Sequence, residues 1–147
     1  MDKEAIRGRR RARRLALQAL YQWQLSGTDR HELEAQFRAM NNMARVDADY
    51  FSKILQGVIN DREGIDEKLT PLLDRALSEL TPVERTVLWL GSFELAECPE
   101  VPWRVVLDEA IALTREFGTE DGHRYVNGVL HNLAQTLRAI EIRAENG

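Results

Sequence analysis

Along this chain apolar residues recur three and four positions apart, and no segment shows the strict alternation of a strand. The pattern predicts helix after helix and an all-α fold. A first helix is expected from about Arg9 to Leu25, stopping at Ser26-Gly27. A second begins at Asp29, with Glu32 three positions on, and breaks between Met43 and Asp47. Asp47 then caps a third, carried by Tyr50, Phe51, Ile54, Leu55, Val58 and Ile59. A fourth segment, Gly64 to Arg75, holds Pro71, which should end or kink it. The strongest start signal is Thr81-Pro82-Val83-Glu84: N-cap, proline at the first helical position, and a glutamate reaching back. That helix should run to about Glu97. Pro102 opens a sixth, ending at Gly118, and a seventh spans about Asp121 to Arg143. Short connections of this kind suit antiparallel helix packing.

The faces of these helices carry more detail. Ala12, Ala16, Ala19, Leu20 and Trp23 form a core stripe on the first. The opposite face collects Arg10, Arg14, Leu17 and Tyr21, which either packs on a neighbouring element or meets a partner. The fifth helix is apolar nearly all round and so should be central. Its Glu94 falls among apolar positions, and a buried carboxylate needs donors, expected from the amides near Val101–Arg104 at the next helix start. On the last helix Val126, Val129, Leu130, Leu133, Leu137 and Ile140 form the stripe. Gly128 costs that helix about 1 kcal/mol relative to alanine, so a close-packed neighbour is expected there. Arg124, Asn127 and His131 line a polar face, with Tyr125 flanking the core.

Charge changes the picture. The chain has 147 residues, 44% apolar and 30% charged, with a net charge of −4. Within it, residues 1–14 hold seven basic side chains against two acidic ones, six of them arginines packed into residues 7–14. A basic arm on an acidic body points to a polyanionic partner such as nucleic acid, with a solvated tail as the plainer alternative. Arginine suits bidentate phosphate contact and base stacking. Replacing Arg10, Arg11 and Arg13 with alanine should then leave helix content and thermal stability nearly intact. Residues 1–8 are expected as a flexible arm, followed by helical halves over about 9–78 and 81–143.

Candidate chemistry is sparse. Phosphate-cradling glycine loops and the Gly-x-Ser-x-Gly elbow are absent. Cys98 is the single cysteine, so neither an internal disulfide nor a cysteine-rich metal site is expected. Glu120, Asp121 and His123 sit close in sequence but point apart at a helix start, so capping by Asp121 or Thr119 is the ordinary reading and no metal is expected. No apolar run reaches the roughly 18 residues of a membrane span, and no signal-type apolar region follows the basic start. Cytoplasmic residence and no membrane association are the expectation.

Two runs carry a resemblance. Arg9-Arg10-Arg11-Ala12-Arg13 followed by Ala16-Leu17-Gln18-Ala19-Leu20-Tyr21-Gln22-Trp23-Gln24-Leu25, together with Tyr125-Val126-Asn127-Gly128-Val129-Leu130, resembles the NusB family of bacterial transcription antitermination factors. Val101-Pro102, Asp108-Glu109-Ala110-Ile111 and Phe117-Gly118 extend the likeness over roughly residues 9–137. The resemblance implies about seven helices in two small packed subdomains, no catalytic activity and no cofactor. It implies pairing with NusE, a small-subunit ribosomal protein, binding of boxA RNA, and entry into the RNA polymerase antitermination complex on ribosomal RNA operons. By position it implies RNA contacts at Arg9, Arg10, Arg11, Arg13, Gln18, Asp121, Arg124, Tyr125 and Asn127, and NusE contacts at Tyr21 and Glu84. Gly122 stands where a serine-like residue is expected, leaving the backbone for any contact there.

Rival readings are the helical module that precedes ribosomal RNA methyltransferases, a protein-binding adaptor, and a hydrolase. The first needs a cofactor-binding domain absent from these 147 residues; the last lacks a nucleophile or metal constellation. Oligomeric state, including a homodimer, stays open.

Overall fold

A computed structural model describes residues 1–119 and 121–147. Among them are eight α-helices and no strand: α1 Lys3–Ser26, α2 Arg30–Met40, α3 Ala48–Asn60, α4 Arg62–Leu69, α5 Pro82–Glu97, α6 Trp103–Phe117, α7 Gly122–Leu137 and α8 Ala139–Asn146. The all-α expectation holds. The chain divides into two compact units, Met1–Asp61 and Arg62–Gly147. The division falls after Asp61 rather than near residues 78–81. The reason is that α4 packs on α5, where Ile65 and Leu69 are buried and the Trp89 indole donates to Asp66, 2.8 Å.

In the first unit α1, α2 and α3 pack on one another. Helix α1 starts six residues earlier than the arginine run suggested. Asp2 caps it by accepting from the Ala5 amide, 2.8 Å, and Glu4 pairs with Arg7 one turn on, 3.0 Å. Residues 3–8 are therefore helix, not a loose arm. The far end closes on Gly27, whose φ of 67° is the left-handed conformation that glycine adopts without strain. Asp29 and Asp47 cap α2 and α3 by accepting amides of the following turn. Leu17 is buried, so that part of the second face of α1 is core. Trp23 is only half-buried. Between α2 and α3, Glu34 accepts from Ser52 at 2.8 Å, Gln56 at 3.2 Å and Arg38 at 3.0 Å. Burial pushes the Glu34 carboxyl upward, but these three donors outweigh it and hold its pKa below the ordinary value.

In the second unit α5 is central, contacting α4, α6 and α7, with every residue from Thr86 to Leu95 buried. Its start is the predicted capping box: the Glu84 amide donates to Thr81 Oγ1, 3.1 Å, and the Thr81 amide to Glu84 Oε1, 3.0 Å. Pro71 does end α4, which passes into a 3-10 turn at Thr70–Leu72.

The last predicted helix is two. It breaks at Arg138, where φ is −121° and ψ 30°. The buried Arg138 guanidinium donates to the carbonyls of Glu94, Leu95, Cys98 and Val101 at 2.8–3.1 Å. Turned by this break, Ile140 leaves the core stripe and is 81% exposed. Glu94 is buried as expected, while the Trp103 amide at the head of α6 donates to Glu141, 3.0 Å. Among the described residues nothing lies within 4 Å of a Cβ built on Gly128, so they supply no close neighbour there. That role belongs to Gly91, where an added Cβ would lie 2.6 Å from Leu130 Cδ1.

Candidate nucleic-acid interface

The arginines of α1 do not act alike. A segment of residues 41–47 lies along them: the Asp47 amide donates to the Gly8 carbonyl, 3.0 Å, and Arg11 Nη1 to the Arg45 carbonyl, 3.3 Å. Arg9 sits 4.4 Å over the Tyr50 ring and 3.8 Å from Asp47. Arg13 lies 5.5 Å from the same ring and is 4% exposed. A buried cation on an aromatic face packs the unit together, which sets Arg13 apart from the expectation that Arg10, Arg11 and Arg13 can be replaced without loss of stability. Arg10 and Arg14 face solvent and Arg11 is half-buried.

Along this face runs an open groove of about 270 Å³. Arg11, Arg14 and Gln18 form its helix wall and Asn41 and Asn42 its loop wall, over apolar contacts from Leu15 and Val46. Two of the RNA candidates, Arg11 and Gln18, thus share one concave surface. Arg14, Asn41 and Asn42 were not singled out as RNA-contacting. For Arg14 the signal was present, since it lies one turn from Arg10 and Gln18. For the asparagines it was absent, because an Asn-Asn pair reads as an ordinary helix stop.

The second unit holds the other candidates on α7. Arg124 and Asp121 are exposed, and Asn127 is half-buried. Asp121 precedes α7 in helical geometry and its side chain makes no capping bond, so of the two expected caps, Asp121 and Thr119, Asp121 does not serve. Glu120 lies outside the described residues. Tyr125 is half-buried, and its ring face is taken by the Arg75 guanidinium, 4.4 Å from the centroid. Burial raises the Tyr125 pKa above the ordinary tyrosine value, with the hydroxyl set against Asp74. Arg75 in turn holds Asp74 at 2.8 Å, which lowers the Asp74 pKa and raises that of Arg75. Sequence reasoning did not single out Arg75, since nothing local links it to a tyrosine fifty positions away.

The partner candidates differ in availability. Tyr21 is 37% exposed on α1 and Glu84 only 8%. Glu84 Oε1 is committed to the capping box, and its Oε2 lies 3.2 Å from where a Cβ on Gly122 would stand.

An all-helical chain with a basic, amide-lined groove defines a class of small helical proteins suited to polyanions. The NusB family model matches residues 10–135, and the chain belongs to that family. It is 56% identical over 146 residues to the transcription antitermination protein NusB of Legionella pneumophila (strain Corby), covering 99% of each chain. It also resembles T. maritima NusB (TM-score 0.78, 27% identity, 86% of this chain and 90% of that one). A further solved neighbour is the complex of antitermination factors NusB and NusE with dsRNA (TM-score 0.75, 27% identity, 84% and 93% covered).

Proposed function

We propose that this protein is a transcription antitermination factor that binds boxA-type RNA together with NusE, joins the RNA polymerase elongation complex and supports ribosomal RNA transcription. It acts by binding, not catalysis, and works in the cytoplasm. The observation that carries the reading is the groove on α1. It places Arg11, Arg14 and Gln18 on one surface, the side-chain types that hold phosphates and unpaired bases. Support comes from the relatives' shared name and from the neighbour solved with NusE and RNA.

In this reading Arg10 and Arg11 contact phosphate, Gln18 meets a base, and Arg9 and Arg13 shape the surface from beneath through Tyr50. Asp121, Arg124, Tyr125 and Asn127 form a second RNA-contacting surface on α7. Tyr21 and Glu84 face NusE, Tyr21 through its exposed ring and Glu84 through the oxygen outside the capping box. An acidic body keeps non-specific RNA binding weak, so a partner raises affinity where it is needed.

Titration of boxA RNA against the protein alone and with NusE tests this. The expected result is binding that tightens when NusE is added. Absence of RNA binding under both conditions refutes it. With Arg10→Ala/Arg11→Ala the slope of log affinity against log salt should flatten by about 0.7 per lost phosphate contact.

A further inference from the structure

We propose that the groove between α1 and the 41–46 segment seats one unpaired nucleobase, and that Asn41 and Asn42 read its edge. The inference rests on the RNA reading above and adds to it the part of the chain that discriminates a base from bare phosphate backbone.

Three amide side chains converge on this groove, Gln18 from the helix and the two asparagines from the loop. The asparagines are held in place by complementary bonds. Asn41 Nδ2 donates to the Phe37 carbonyl, 2.8 Å, which ties down the nitrogen end and leaves the carbonyl oxygen, with the second N–H, to offer. Asn42 Oδ1 accepts from the Ala44 amide, 3.0 Å, which leaves the Asn42 NH2. Each amide thus keeps one end held by the backbone, with the Asn41 oxygen as an acceptor and the Asn42 NH2 as a donor left for a ligand. Nucleobase edges carry the matching pattern, a donor next to an acceptor, and asparagine and glutamine are well-suited bidentate partners for it. A phosphate offers only acceptors and has no use for the Asn41 oxygen.

The other walls fit the same ligand. Arg11 and Arg14 are the charged groups lining the groove, both cationic, so the phosphate attached to the base has a counter-charge. Leu15 and Val46 supply apolar surface for the ring. The loop wall is anchored to α1 by the bonds from Asp47 to Gly8 and from Arg11 to Arg45. The groove therefore needs no rearrangement to admit a base.

The test is an abasic scan: boxA RNA with each nucleotide in turn lacking its base, titrated against the protein with NusE. The parent should lose about tenfold in affinity at one position where the base is removed. Asn41→Ala/Asn42→Ala should bind the intact RNA about tenfold more weakly and show no further loss at that position. Asn42→Asp keeps the oxygen that accepts from Ala44 while removing the NH2, so it holds the loop and should abolish the same positional penalty. The melt of Asn42→Asp should match the parent, while that of Asn41→Ala/Asn42→Ala should fall slightly, because it loses the two exposed bonds to Phe37 and Ala44. An unchanged abasic profile in the variants overturns the inference and leaves the RNA reading standing. A uniform loss accompanied by a flatter salt slope also overturns it, since that is phosphate contact alone. Failure of the parent to bind RNA removes both.

Discussion

Replacing Arg138 should cost this protein more stability than replacing any exposed arginine of α1. Its guanidinium, in a residue 7% exposed, donates to four backbone carbonyls and to Glu141 at 2.9 Å. Two of those carbonyls have other donors: Glu94 takes the Cys98 amide and Cys98 takes the Val101 amide, each at 3.0 Å. The other two depend on the arginine. The residue four past Leu95 is Pro99, which has no N–H to give. The Val105 amide that would reach Val101 donates instead to Pro102, 3.0 Å. Arg138→Met keeps the bulk of the stem and removes the donors, stranding both acceptors at about 1–3 kcal/mol each. Glu141 can rehydrate, and the relief of a buried cation offsets part of the loss. The net expectation is about 3 kcal/mol, or a melting point lower by about 6–12 °C for a chain of this size. Urea and thermal denaturation measure it. Arg138→Lys, with its charge but not the planar fork, should fall between parent and Met. A loss under about 1 kcal/mol for Arg138→Met would show that water or a shifted backbone satisfies these carbonyls.

Further outcomes follow from the same geometry. Arg13→Ala should destabilise the first unit by about 1–2 kcal/mol, because it uncovers Tyr50, whereas Arg10→Ala should leave the melt unchanged; equal effects would refute the distinction. Glu34 has a folded pKa below its ordinary value near 4.5. Its contribution to stability is therefore complete above that value and lost as pH falls through the lower folded one. Glu34→Gln should flatten this part of the acid slope in denaturation curves taken across that range, and an unaltered slope counts against the network. Tyr21→Asp should leave the melt normal while NusE pull-down weakens strongly, and a lowered melt would place Tyr21 in the core.

What was legible in the sequence is what local chemistry decides. Thr81-Pro82-Val83-Glu84 carries its own start signal because every bond of a capping box lies within one turn. The all-round apolarity of α5 likewise announced a central helix, since no amphipathic alternative exists for it. The arginine run was visible as charge, but not its division into a buried Arg13 and an exposed Arg10. That depends on where the Tyr50 ring lies, some forty positions away, and only packing sets it. The break between α7 and α8 escaped for a similar reason. The helical period continues through Arg138, and what stops it is a set of carbonyls at the end of α5 that require a donor. The groove shows the same limit: Gln18 and Asn42 are unremarkable polar residues until the loop returns along α1. Short-range bonds are written in neighbouring letters, whereas a concave surface exists only once distant segments have been brought side by side.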